Sequence, residues 1–290
     1  MRLPAAAKLQ NRRFAWCFAA ALFLALSGTL LASAPAFSQQ SKVGKLAGNA
    51  SRGRDLFRRY CIGCHGPAGN GEGENAPYFE PKPRDFTLGL FKCRSTPSGS
   101  IPLDSDLFDT VTRGVPGTFM PSWNPLTPQQ RVDIVAYVKT FSERFHQEQP
   151  ADAVSIPQET PDSPASIERG NALYQKLGCF ECHGRDGRGD GPSAATLRDA
   201  KGNIIQPYDF TSSPHFKCGP GNKGIYRDVM TGLDGTPMPS YVFWLTPDQA
   251  WDLVHFLLSL SRQGEASTSP VETSESTRKD RGEHDQSNHP

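Results

Sequence analysis

The sequence predicts an all-α chain built of two tandem domains of one kind, threaded with long Gly/Pro-rich loops, and three observations predict it. The pattern C-x-x-C-H occurs twice, at Cys61-Ile62-Gly63-Cys64-His65 and at Cys179-Phe180-Glu181-Cys182-His183. The interval from the motif His to a downstream Met is the same in both halves, since 120 − 65 and 238 − 183 are both 55. Each half then closes on one helix-start signal, Thr127-Pro128-Gln129-Gln130 or Thr246-Pro247-Asp248-Gln249. Thr stands at the N-cap, Pro at the first helical position and Gln at the third, which is a capping box.

The duplication extends between these anchors. Gly-Thr-Phe-Met-Pro-Ser (117–122) is matched by Gly-Thr-Pro-Met-Pro-Ser (235–240), an offset of 118. Pro83-Arg84-Asp85-Phe86-Thr87 pairs with Pro207-Tyr208-Asp209-Phe210-Thr211 at 124, and Phe91-Lys92-Cys93 with Phe216-Lys217-Cys218 at 125. The changing offset marks insertions in loops, where they are tolerated.

Each copy has the same coarse plan. Leu56, Phe57 and Tyr60, or Leu173, Tyr174 and Leu177, recur at helical spacing and predict a short amphipathic helix running into the motif. Gly66, Gly69, Gly71 and Gly73, or Gly184, Gly187, Gly189 and Gly191, follow it and exclude regular helix. A phosphate-cradling loop is disfavoured, because neither run carries Gly-Lys-Ser/Thr or follows a strand. The closing helices present Val132, Val135, Ala136, Val138 and Lys139, or Trp251, Val254, His255, Leu257 and Leu258, apolar apart from Lys139 and His255.

C-x-x-C-H is the attachment pattern of a c-type haem. Cys61 with Cys64, and Cys179 with Cys182, bring two thiols onto one helical turn to form thioethers to one porphyrin. His65 or His183 then reaches the iron as proximal ligand. Redox or zinc-binding C-x-x-C motifs do not call for a following His, still less for two. The expected cofactors are therefore two covalently bound haem c. For the sixth position the candidates are Met120 and Met238, loop residues flanked by Gly and Pro that are poor core filler; Met230 aligns with Thr112 and has no counterpart. His146, His215 and His255 do not recur in the other copy, and each reads as exposed or as a satisfied partner.

Cys93 and Cys218 occupy equivalent positions and leave three readings open: buried small hydrophobes, an inter-domain disulfide, or thiolate ligands to iron.

The N-terminus carries Arg2, Lys8, Arg12 and Arg13 before an apolar run from Phe14 to about Ala34, then Ala34-Pro35-Ala36. This is the order of an export signal; a retained membrane anchor is the alternative, weakened by Ser27, Gly28, Thr29 and Ser33. Cys17 falls within that run. The organisation expected is a signal peptide or membrane anchor over 1–38, domain 1 over 39–145, a Pro-rich linker over 146–165, domain 2 over 166–261 and a polar, disordered tail over 262–290. At 290 residues and 37% hydrophobic content the chain suffices for two compact domains, and a net charge of +1 argues neither for nucleic acid nor for an acidic partner, so no nucleic-acid partner is expected.

With these residues in place, the chain resembles the tandem class I cytochromes c, similar in general plan to cytochrome c4-like dihaem carriers. The resemblance covers residues 50–261 and rests on Cys61, Cys64 and His65 with Met120, and on Cys179, Cys182 and His183 with Met238. It implies two small helical haem domains with His/Met iron and electron transfer as the activity. It also implies a proline whose carbonyl orients each haem His, for which Pro77 and Pro192 are the candidates. The Pro-x-Asp-Phe-Thr…Phe-Lys-Cys segment is extra relative to the family, and a partner-docking loop is the expectation for it. The function expected is that of an exported, periplasmic electron-transfer protein, not an enzyme. It works as a carrier or as the cytochrome subunit of a redox complex, with a cytochrome, oxidase or dehydrogenase as donor and acceptor. Membrane association would follow if the N-terminal segment is retained. The alternative is a dihaem enzyme: thiosulfate dehydrogenase-like if a cysteine ligates iron, or peroxidase-like, which needs an open sixth position where both copies here supply a Met.

Overall fold

A computed structural model describes residues 40–212 and 216–268. The expected export signal or anchor, His215 and the tail beyond Thr268 lie outside the described residues. Among the described residues no helix is long and apolar enough to cross a membrane.

Domain 1 begins with a two-residue antiparallel ribbon, β1 (Lys42–Val43) and β2 (Leu46–Ala47), which sequence periodicity does not announce. It continues through α1 (Ala50–Tyr60), the motif turn α2 (Ile62–His65), α3 (Asp104–Arg113), α4 (Pro128–Lys139) and the short α5 (Arg144–Gln147). Domain 2 repeats the order as α6 (Pro164–Lys176), motif turn α7 (Phe180–His183), α8 (Gly221–Thr231) and α9 (Pro247–Thr268). The fold is the all-α class expected, two helical domains of like plan with a ribbon as the only sheet among the described residues. The expected linker edge at 146 falls inside α5, and the expected domain end at 261 falls inside α9.

The caps act as the sequence predicts. Gln130 N–H donates to Thr127 Oγ1 at 3.3 Å while Thr127 N–H donates to Gln130 Oε1 at 2.9 Å. Gln249 and Thr246 exchange the same two bonds at 3.3 and 3.0 Å. In α1 the Asn49 side chain accepts from Arg52 N–H, and Arg58 and Arg59 in the last turn suit the helix dipole.

In each domain the first helix crosses the last at a glycine. Gly53 in α1 lies so near the Asp133 carbonyl of α4 that a Cβ there would fall on the backbone, and Gly170 in α6 stands in the same relation to Asp252 of α9. Beside each crossing an arginine grips the same aspartate: Arg52 Nε to Asp133 Oδ2 at 2.7 Å, Arg169 Nε to Asp252 Oδ2 at 2.7 Å. Burial pushes the two carboxyls up, but the hydrogen bonds they accept outweigh it and hold both below the usual carboxylate range.

Two cores result. Phe57, Phe86, Phe91, Ile101, Leu107, Ile134, Val135 and Val138 fill the first; Tyr174, Phe210, Phe216, Ile225, Tyr226, Trp251, Val254 and Leu257 fill the second. The polar exceptions on the closing helices are partnered: Lys139 Nζ meets Asp104 Oδ1 at 2.6 Å, and His255, fully buried, has Nδ1 2.6 Å from Ser166 Oγ. Helices α3 and α8 escape the sequence reading, although Leu107, Phe108 and Val111, and Ile225, Val229 and Met230, stand at helical intervals ahead of Gly114 and Gly232.

The changing offset now has a physical reason. The surplus in domain 2 ahead of Pro207 forms a turn closed by the Arg198–Ile204 bridge, from which Lys201 Nζ reaches Asn70 O at 2.9 Å, Glu72 Oε1 at 3.0 Å and Asp85 Oδ2 at 3.3 Å in domain 1. The surplus in domain 1 after Cys93 is a loop whose Arg94, Ser98 and Gly99 reach residues 231–234 of domain 2. Each insertion is a clasp on the other copy. Between them Cys93 and Cys218 form a disulfide. That selects one of the three readings left open and removes both the isolated small hydrophobe and the thiolate ligand. The linker is tied down as well, with Val154 N–H on Ser95 O at 2.8 Å and Glu159 Oε1 3.3 Å from His255 Nε2.

Candidate functional site

The two motif turns are built alike. Cys61 ends α1 and Cys179 follows the α6 cap, so that each pair of cysteines lies on one turn with the His at its end. His65 N–H and His183 N–H donate to the carbonyls of Cys61 and Cys179, both at 2.9 Å, which closes the turn. Cys61, Cys64, Cys179 and Cys182 are free, half-buried thiols. Burial pushes Cys61 up to about 12 and Cys179 up to about 11 and raises Cys64 and Cys182 as well, so all four are protonated at neutral pH.

Each imidazole is held from the inserted Pro-x-Asp-Phe-Thr segment. His65 Nδ1 lies 3.0 Å from the Arg84 carbonyl, and His183 Nδ1 lies 3.0 Å from the Tyr208 carbonyl. A carbonyl can only accept, so Nδ1 carries the proton and Nε2 keeps its lone pair. Burial lowers the proton affinity of both rings, which keeps them neutral. The aromatic of the same segment stacks on the ring, Phe86 at 4.4 Å and Phe210 at 4.7 Å between centroids. The aspartate folds the segment on itself: Asp85 Oδ1 accepts from Thr87 N–H and Oγ1, and Asp209 Oδ1 does so from Thr211. The glycine loop admits the segment, because a Cβ on Gly71 would come within 2.6 Å of Pro83 O, and one on Gly189 within 2.8 Å of Pro207 O.

Two expectations are corrected by this geometry. Pro77 and Pro192 do not orient the histidines; Pro77 sits in a 3₁₀ turn and its carbonyl accepts from Lys82. The extra segment, expected as a docking loop, is the platform under the imidazole. Sequence reading found the segment as a repeat but could not find its target, because His and carbonyl are 19 and 25 residues apart across a glycine loop.

The Met loops are also a matched pair. Val115 N–H donates to Met120 O at 3.0 Å and Met120 N–H to Thr118 Oγ1 at 3.1 Å; Leu233 and Met238 O make the first bond at 3.1 Å, Met238 and Thr236 the second at 3.2 Å. Ser122 Oγ and Ser240 Oγ donate to Thr112 O and Met230 O. Gly114 and Gly232 turn the chain from helix into loop at φ of 71° and 67°, a region that disfavours side chains. Both Met side chains are half-buried.

The donor set fits a haem in each domain: two protonated thiols on one turn, a neutral imidazole with its Nε2 free, and a thioether loop fixed at both ends. No cluster of three or more His, Cys, Asp or Glu suited to a bare metal ion occurs among the described residues. His146 is exposed and His255 is committed to Ser166, which leaves neither as a rival ligand. Exposed aromatics flank the Met loops, Phe119 stacked on Phe79 at 4.4 Å in domain 1, Phe243 and Trp244 in domain 2.

Comparison with known proteins agrees with this construction. Residues 167–261 match the cytochrome c family, and residues 48–138 match the family described as cytochrome c oxidase, cbb3-type, subunit III. No curated protein matches the chain. Among solved structures, a chain of the reducing HAO-like protein complex of Kuenenia stuttgartiensis is similar at 42% identity and a TM-score of 0.71, over 73% of this chain and 96% of that one.

Proposed function

The chain belongs to the dihaem class I cytochromes c, whose domains hold covalently bound haem c and transfer electrons, and from that premise we propose that it is the two-haem cytochrome subunit of an exported redox complex. Cys61 and Cys64 would tether one haem and Cys179 and Cys182 the other, and His65 with Met120, and His183 with Met238, are the residues that would ligate the two irons. Bound haem supplies a one-electron couple; the polypeptide supplies the environment that sets its potential. The Arg84 and Tyr208 carbonyls fix the tautomer and orientation of the imidazoles, Phe86 and Phe210 exclude water from the ring faces, and the Met loops present a thioether that favours reduced iron.

The observation that carries this reading is the repetition of one complete constellation, thiol pair, carbonyl-held His and pinned Met loop, in both halves. The names of the similar proteins, a cbb3-type oxidase subunit and a reducing HAO-like complex, support a subunit over a free carrier. Phe119, Phe243 and Trp244, exposed beside the Met loops, suit contact with the neighbouring redox protein. The basic, then apolar, then small-residue order of residues 1–38 supports a periplasmic location, membrane-attached if the segment is retained. An enzymatic reading through a thiolate ligand loses its basis, because Cys93 and Cys218 are bonded to each other.

Expression with haem maturation tests the proposal. Mass spectrometry is expected to show two haems on the mature chain. The reduced protein is expected not to bind carbon monoxide at neutral pH and not to turn over thiosulfate or peroxide. It should exchange electrons rapidly with a cytochrome or an oxidase. A single haem, or haem reduction by thiosulfate, would overturn it.

A further inference from the structure

The Met238 loop is held from the other domain. Arg94 of domain 1 is buried, its side chain wholly without exposure, and it enters domain 2 at the end of α8. Its Nη2 donates to Thr231 O at 2.7 Å and its Nη1 to Gly232 O at 3.2 Å, so the guanidinium satisfies terminal carbonyls of that helix. Nη2 also meets Asp234 Oδ1 at 2.8 Å, and Asp234 receives Ser98 Oγ at 3.0 Å and Gly99 N–H at 3.1 Å from the same clasp. Gly232 and Asp234 bracket Leu233, whose N–H bonds the Met238 carbonyl. The residue before Arg94 is Cys93, bonded to Cys218, so the finger starts from a covalently fixed point.

Among the described residues, no side chain of domain 2 caps the end of α3 in this way. By the 118 offset that pairs Gly232 with Gly114, Arg113 stands where Thr231 stands and Pro116 where Asp234 stands. Arg113 bonds Cys218 O at 3.3 Å, away from its own loop.

We propose that Arg94 is a cross-domain positioning residue for the sixth ligand of the second haem: through Thr231, Gly232 and Asp234 it fixes the loop that presents Met238, so that the potential of haem 2 depends on how domain 1 is docked. This rests on Met238 being the ligand. A guanidinium is needed because one group must serve two carbonyls and a carboxylate at once, which an ammonium on a flexible stem does poorly. Met120, whose loop Arg94 does not touch, is insensitive to the same change.

The test uses the full two-haem protein. Placing Met120→Ala in every sample leaves the weak long-wavelength band of Met-bound ferric iron to report haem 2 alone. Arg94→Met is expected to weaken that band, to cause its loss at lower pH than in the parent, and to lower the potential of haem 2. Arg94→Lys should restore it only in part. Should Arg94→Met fail to fold, Asp234→Asn removes one partner and leaves both carbonyl bonds. Charge alone would make Arg94→Met lower the potential and Asp234→Asn raise it; positioning makes both lower it and both weaken the band. Opposite shifts with an unchanged band overturn the inference, as does a band that responds to Met238→Ala and to neither variant. A band that survives Met238→Ala overturns the ligand reading first and this inference with it.

Discussion

Domain 1 and domain 2 are alike where each holds its cofactor and unlike where they meet. Turn, carbonyl, stacked ring and Met loop make the same bonds in the two copies, whereas the Lys201 turn belongs to domain 2 and the Arg94 loop to domain 1. The difference teaches how a duplicated domain becomes a two-centre protein. Each copy contributes one insertion and at a different place, Lys201 ahead of the His-holding segment and Arg94 after Cys93, so the asymmetry is confined to loops, where added length costs little. The clasps end on the loops that hold His65 and Met238, so each domain braces one proposed ligand of the other.

Removing one centre breaks the comparison most severely. Replacing Cys61 and Cys64 by Ala is expected to leave one haem by mass spectrometry and to unfold domain 1, since that haem would fill much of its interior. Domain 2 should then lose the firmness of its Met238 loop, visible in the optical spectrum, while the mirror experiment at Cys179 and Cys182 should leave Met120 undisturbed.

A smaller effect tests the shared architecture. Gly53→Ala and Gly170→Ala each put a methyl on the backbone of the facing helix, and each is expected to cost about 2–4 kcal/mol in thermal or denaturant unfolding. Equal losses would fit equivalent crossings; a loss at one site only would mean that the copies do not pack alike.

The disulfide probes the seam itself. Cys93→Ser together with Cys218→Ser is expected to lower stability by roughly 2–4 kcal/mol, with both haem spectra retained, because neither sulfur is a ligand. A changed spectrum would return the thiolate reading to consideration.

The mildest prediction concerns pH. Asp133 and Asp252 are held below the usual carboxylate range in the folded chain despite their burial, by the bonds from Arg52 with Asn49 and Gln129, and from Arg169 with Ser166. A depressed folded value means that the stabilisation is complete above the unfolded value of about 4 and is lost as pH falls through the folded one. Asp133→Asn and Asp252→Asn should therefore lower the melting temperature at pH 7, and the gap to the parent should close below about pH 4. A gap that did not narrow at all as the pH fell ever further below the usual carboxylate range would point to packing instead of charge.

What the residues determine by themselves is whatever depends on neighbours along the chain. The haem motifs, the Met interval, the capping boxes at Thr127 and Thr246, and the existence of two like copies are all legible because spacing on one turn, or a repeated offset, is the physical requirement. The tertiary structure alone decides what comes from distant segments. The carbonyl that orients each His belongs to Arg84 or Tyr208 and not to a nearby proline, since only the folded glycine loop brings them together. Cys93 finds Cys218 because two insertions dock the copies, and Gly53 is needed where it is because another helix passes over it. A backbone carbonyl carries no residue-type signature, and a lone Arg or Gly reads as surface charge or a weak helix former until its partner's position is known.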